Sequence, residues 1–187
     1  PWATYKPRAA TYKPRAAPDG PPETAVHAQI NQNIVLAHTA VEELHVDAIV
    51  CPTDVNLSHE STVSRKLAAA AGKKLAEECA GLGKLQLGQA VLTRGHRLPA
   101  RALIHTALCR FDPAYRAACG AALVESLGSC LRLFAHSEPP LKSLAIPVLH
   151  DDALQWPEEF AARQVLKTLR SWMEVQPTPL PTIVLCV

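Results

Sequence analysis

The chain has 187 residues, 48% of them hydrophobic, enough for one domain with a real core and too few for two comfortable ones. Its formal net charge is +2, but Lys6, Arg8, Lys13 and Arg15 against Asp19 put +3 in residues 1–22 and leave −1 for the rest, so nucleic acid is not expected as a partner except through that leader, which reads first as a solvated tail. No apolar run approaches the roughly 18 residues of a transmembrane helix and no secretory pattern opens the chain, so a soluble protein with no membrane partner is expected.

Residues 3–16 are a perfect tandem repeat, "ATYKPRA" twice, followed by "APDGPPE". A proline in every seventh position excludes a coiled coil, and this composition cannot bury enough surface to fold alone. Residues 1–22 therefore read as a disordered or polyproline-like basic leader, and 23–187 as the folded domain. The leader's Tyr, Lys and Arg are the residue types that stack on bases and contact phosphate, though two copies make a small footprint.

From Ala25 the pattern alternates. "AVHAQI" and "NIVLAH" read as paired strands around Asn31-Gln32, then "DAIVC", "QAVLT", "ALIHTAL", "SLAIPVL" and "TIVLCV" as five more. Helical segments fall between them. Ser61 and Thr62 are placed to cap a helix through "VSRKLAAAA", with Gly72 breaking it before "KKLAEECAG". Asp112 and Pro113 open a long helix to about Ser137, with Leu123, Leu127, Cys130, Leu131 and Phe134 on one stripe. Pro157 with Glu158 and Glu159 opens another, carrying Phe160, Val165, Leu169 and Trp172, and "QPTPLP" ends it. Strands separated by helices predict an α/β protein with a mixed sheet covered on both faces. The chain begins at Pro1 and ends in the strand-like "TIVLCV", which reads as a piece of a longer protein.

In open α/β sheets ligands bind at the carboxyl ends of the strands, which makes Cys51 to Asn56, after "VDAIV", the first place to look for function. The six cysteines (51, 79, 109, 119, 130, 186) contain no C-x-x-C pair and read as reduced thiols of an intracellular protein, nuclear or cytoplasmic. Cys51 has no base placed by spacing and reads as a buried thiol. His105, mid-strand in "LIHTA", reads as a hydrogen-bonded core residue. His27, His38 and His45 have no partner at metal-ligand spacing, so neither a metal nor a cofactor is expected. "RGHR" at 94–97 is a small basic hairpin corner.

The segment order, with "VDAIV" at 46–50, "AAAGKKLAEEC" at 69–79, "GQAVLTRGHRLPARALIHT" at 88–106, "AIP" at 145–147 and "WP" at 156–157, resembles the macrodomain family of ADP-ribose-binding modules over about residues 30–187. The resemblance implies a three-layer α/β/α fold with a central mixed sheet and a ligand cleft at the strand ends. Carried over position by position, that cleft would take Cys51, Thr53, Asp54 and Asn56 from the end of the strand, and His59, Ser61, Thr62 and Val63 from the helix start. From the far side it would take Pro147, His150, Asp151, Asp152, Ala153, Leu154 and Trp156.

Several family features are replaced. The Asp that holds the adenine amino group falls at or beside Ala40, and the Asn-Ala-Ala-Asn stretch is Cys51, Pro52, Thr53 and Asp54. The glycine run that wraps the pyrophosphate is His59, Glu60, Ser61 and Thr62, and the second glycine loop is 150–155. Only Gly tolerates positive φ freely and lets backbone N–H groups approach phosphate closely. Asp54, Glu60, Asp151 and Asp152 bring negative charge towards an anionic ligand, each close contact costing about 1 kcal/mol in water and roughly 4 at an effective dielectric of 20. Two such contacts rival micromolar binding, about 8 kcal/mol. Opposing them, the helix start near Val63 offers free N–H groups, and His59 or His150 could carry a proton beside a phosphate.

The expectation is a degenerate macrodomain serving as a non-catalytic interaction or structural module with an unidentified protein partner. The alternative is weakened or altered recognition of ADP-ribose or an ADP-ribosylated protein. An ADP-ribosyl hydrolase with Asp54 as general base is the third reading. Deleting residues 1–22 should leave the melting temperature unchanged within about a degree, because no core contact is removed; a loss of several degrees in a thermal melt would show that the leader packs on the domain.

Overall fold

The computed structural model describes residues 25–147 and 154–186. The leader at 1–22 and the loop residues His150, Asp151, Asp152 and Ala153 lie outside them. The elements are α1 (Ala25–Gln32), β1 (Ile34–Ala37), β2 (Ala48–Thr53), α2 (Thr62–Ala71), α3 (Lys73–Leu82), β3 (Ala90–Arg94), β4 (Ala102–Ala107), α4 (Arg116–Ala135), β5 (Ser143–Pro147), α5 (Glu158–Met173) and β6 (Thr182–Cys186). The six strands form one mixed sheet in the order β1-β6-β5-β2-β4-β3, with β3 antiparallel to β4 and the other pairs parallel.

Residues 25–30 are helix rather than the first strand of a hairpin. A two-residue hairpin turn needs positive φ, usually from glycine, and Asn31-Gln32 supplies none. The segment instead satisfies its backbone locally, Asn33 Nδ2 donating to Gln29 O at 2.9 Å, and buries Ile30 in the core. The other six expected strands and the expected helices all form. Ser61 is the N-cap of α2, and Gly72, at φ +84°, separates α2 from α3.

Alternation along the central strands builds the two faces. Val50, Ile104, Leu144 and Ile146 point into a cluster with Leu123, Leu127, Leu131 and Phe134 of α4 and Leu169 of α5. Ile49, Cys51, Leu103 and Ala145 point the other way, onto Leu67 of α2 and Leu75 and Cys79 of α3. Residues 113–135 have the length and mean hydropathy of a membrane span, though Arg116, Glu125 and Arg132 interrupt the apolar run; as a core helix, α4 buries its stripe against the sheet and α5.

Asp47, just before β2, joins three strands. Its Oδ2 accepts from Lys142 N at 2.7 Å, Ser143 N at 3.1 Å and Ser143 Oγ at 3.2 Å, and its Oδ1 accepts from Arg101 Nη1 at 3.3 Å. Its own N–H donates to Ser143 Oγ at 2.8 Å and its carbonyl accepts from Ala102 N at 3.0 Å. The β3–β4 hairpin corner at 94–97 is tied to α3 by His96 Nε2 at 2.6 Å from Glu78 Oε2. Gly95 is required there, since a Cβ would collide with the Ala100 carbonyl oxygen.

Replacing Asp47 by Ala strands the Lys142 and Ser143 N–H groups at the start of β5. The expected cost is about 3 kcal/mol, within the range for orphaned donors summed over two groups, or roughly 6–12 °C in Tm for a domain of this size. Thermal unfolding measures it, and a shift below about 2 °C would show that water replaces the carboxylate without loss.

Candidate functional site

β2 pairs with β5 over Ala48↔Leu144 and Ile49↔Ala145, while its pairing with β4 runs the full length from Ala48↔Ala102 to Thr53↔Ala107. The chain leaves β2 towards β4 on one side, and β5 lies on the other. The strand order therefore switches at β2, and the carboxyl ends of β2 and β5, at Thr53 and Pro147, flank the place where a ligand enters such sheets. A separate shallow groove, lined by Arg116, Gly120, Val124, Phe160 and Gln164 among others, belongs to the α4–α5 surface and takes no residue from the strand ends.

The segment after β2 is folded on Asp54. Oδ1 accepts from Ser58 N at 2.7 Å and Asn56 N at 2.9 Å, and Oδ2 accepts from Asn56 Nδ2 at 3.2 Å. This is an Asx-turn, in which a carboxylate replaces the backbone partner that the turn lacks. Leu57 is drawn into the left-handed region at φ +60°, with its side chain buried. A non-glycine residue there costs roughly 1–2 kcal/mol, which the hydrogen bonds of Asp54 and the burial of Leu57 offset. Partial burial opposes ionisation of Asp54, but the Ser58 and Asn56 bonds outweigh it and hold the carboxyl below its ordinary value.

Ser61 then closes the start of α2, its Oγ accepting from Ser64 N at 3.0 Å and lying 2.9 Å from Ser64 Oγ. Thr62 is exposed and Val63 half-buried. Thr53 is buried, its Oγ1 donating to Thr106 O at 3.3 Å. Across the strand ends, Leu154 O accepts from Phe111 N at 2.9 Å, and the buried Trp156 donates Nε1 to Cys109 O at 2.9 Å. Trp156 also lies against Phe111 and Phe160, with ring centroids at 5.3 and 6.2 Å. It thus pins the loop to the α4–α5 side of the core.

Beneath the Asp54 turn the fold gathers three residues that spacing along the chain had kept apart. Cys51 on β2 stands in register with His105 on β4, both buried and on the same sheet face, and His59 comes over them from the loop. The His59 and His105 rings meet edge to face at 5.6 Å. Cys51 Sγ and one nitrogen of each histidine lie within 4.8 Å of one another, a grouping that the expectation made on the sequence spacing of His27, His38 and His45 does not reach. That expectation tested intervals in sequence, whereas register across β2 and β4 makes the pair.

His105 is the hydrogen-bonded core residue expected, with Nε2 at 2.8 Å from Thr93 Oγ1, yet its buried Nδ1 has no partner. The buried His59 Nε2 has none either. Each unsatisfied group costs about 1–3 kcal/mol. Burial, with His59 adding to it, pushes His105 down to about 3. Burial also lowers His59, against the pull of Asp54. Burial raises the Cys51 thiol, with Cys79 and Cys130 adding to it, which suits a protonated thiol and not a nucleophile.

A Macro domain family model matches residues 50–165. ADP-ribose glycohydrolase MACROD1 of Rattus norvegicus is 34% identical over 161 residues, covering 85% of this chain and 61% of the relative. A Protein GDAP2 homolog of Nematostella vectensis is 29% identical over 163 residues, covering 87% of this chain and 32% of the relative. The chain thus spans less than two thirds of these relatives. Among solved structures, the ganglioside induced differentiation associated protein 2 macro domain superposes with a TM-score of 0.79 at 29% identity, over 85% of this chain and 78% of that one. A Trypanosoma brucei macrodomain in complex with ADP gives 0.75 at 26% identity, over 85% and 65%.

A lowered carboxyl stabilises the fold fully above its unfolded value and loses that contribution as pH falls through the folded one. The Asp54 turn should therefore hold above the ordinary aspartate value of 3.8 and open only below it. NMR titration of the Asp54 carboxyl, read with the Asn56 and Ser58 amide shifts, should give a common midpoint under 3.8; a midpoint at or above it would mean that the turn does not depend on the carboxylate.

Proposed function

Because the chain belongs to the macrodomain family, we propose that it is a non-catalytic interaction module of a larger protein, with ADP-ribose or an ADP-ribosylated protein as a weak ligand. The observation that carries this reading is the Asp54 turn. The segment at 54–62 is held by side chains, buries Leu57 and half-buries His59, and brings no run of glycine N–H groups to the cleft. Pyrophosphate recognition by backbone depends on such N–H groups. Six cysteines free of disulfides suit the reducing interior of a cell.

The rat relative is named a glycohydrolase, and the trypanosome structure is a complex with ADP. In a hydrolytic reading Asp54 is the natural base, but its oxygens already accept three hydrogen bonds within the loop, and a base must reach its proton directly or through one water. Nucleotide recognition remains the second reading, supported by the switch in strand order at β2.

Calorimetric titration with ADP-ribose separates the two. The unmodified chain should show no binding, or a Kd weaker than roughly 100 µM. A variant with Asp54→Asn and glycines at 59–62 should gain affinity, because it restores backbone freedom and removes two carboxylates. Low-micromolar binding by the unmodified chain would replace the interaction module with an ADP-ribose receptor.

A further inference from the structure

We propose that Cys51, His59 and His105 bind a zinc ion beneath the Asp54 turn. The donor atoms are one thiol sulfur and two imidazole nitrogens, all within 4.8 Å of one another. Among the described residues three buried side-chain atoms lack a hydrogen-bond partner, and two of them, His59 Nε2 and His105 Nδ1, belong to this cluster. A metal bound by Cys51 would give both rings a partner of the right chemistry.

The donor set selects the metal. A thiolate with imidazoles suits zinc, which on binding displaces the Cys51 thiol proton to solvent, whereas magnesium and calcium require oxygen ligands. Tetrahedral zinc with bonds of about 2.0–2.3 Å places donors about 3.3–3.7 Å apart. Cys51 and His105 sit on paired strands, so closing the cluster to that spacing is a movement of His59, which comes from the loop. His105 suits the role: Nε2 is engaged by Thr93 Oγ1 at 2.8 Å and Nδ1 is without a partner, so the tautomer with Nε2–H donating to the hydroxyl leaves the Nδ1 lone pair available to a metal. Three protein ligands leave a fourth position for water or an oxygen of a bound ligand.

This assignment is independent of the affinity for ADP-ribose, and its test uses metals alone. The full chain, stripped with a chelator, is titrated with Co²⁺ and then back-titrated with Zn²⁺. Residues 1–22 contain no Cys or His, so the leader adds no competing donor of these types. One equivalent of Co²⁺ should produce a thiolate-to-cobalt band in the near ultraviolet and intense tetrahedral bands in the visible, and one equivalent of Zn²⁺ should bleach them. His59→Ala should weaken binding by at least roughly 100-fold, since outer-shell partners alone are worth 10–100-fold, while the metal-free variant keeps the far-ultraviolet spectrum of the parent. Cys79→Ser should leave the bands in place. Zinc should also raise Tm for the parent and not for His59→Ala. The proposal is overturned if the unmodified chain gives no thiolate band, a result that needs no variant to fold, or if the bands survive undiminished in His59→Ala, which would mean adventitious binding by other cysteines.

Discussion

The buried carboxylate of Asp47 is the constraint on which the sheet depends. β2 is central, and its neighbours arrive from opposite directions in the topology: β4 through α2, α3 and β3, and β5 through α4. Backbone bonding alone permits a parallel strand to slip, and a slip of one residue would turn every side chain to the wrong face. Asp47 engages the first residues of β5 with one oxygen and Arg101, before β4, with the other. Hydrogen bonds to a charged group are stronger than neutral ones and require a defined position. Both neighbours are thereby aligned at their amino ends, and the alternation that fills the two core faces follows from that alignment.

With the amino ends aligned, the carboxyl ends are free to differ. β2 remains paired with β4 as far as Thr53, while its register with β5 covers only Ala48 and Ile49. The segment that leaves β2 at this opening turns by a different device from a glycine loop. A glycine run exposes backbone N–H groups to a ligand; here Asp54 collects the N–H groups of Asn56 and Ser58 for itself, and Leu57 takes the left-handed conformation with its side chain buried. A turn held by a side chain is more rigid and offers fewer donors outward.

The same turn brings His59 over Cys51 and His105. On a β-sheet, residues in register on neighbouring strands share a face, so the Cys51↔His105 pair follows from the alignment at Asp47. His59 Nε2 and His105 Nδ1 have no hydrogen-bond partner, which distinguishes this cluster from the apolar packing around it. Trp156 plays the opposite part across the strand ends, where its indole N–H finds a carbonyl and its ring is enclosed by aromatics.

Much of the architecture was legible in the sequence. The spans of β2 to β6, the Ser61 cap, the break at Gly72 and the apolar stripe of α4 were visible because each depends on residues within one or two turns. The resemblance of "GQAVLTRGHRLPARALIHT" and its companions placed the chain in its family. Residues 25–30 were misread because an alternation in a short polar segment does not distinguish a strand from a helix when no turn residue follows. The sequence by itself determined the fold class and which conformations the loop after β2 can adopt without cost. The partners of Asp47, the closing of the Asp54 turn and the meeting of Cys51, His59 and His105 were decided only by the tertiary structure, because they depend on register between strands distant in the chain, which crossover and packing set and no local pattern records.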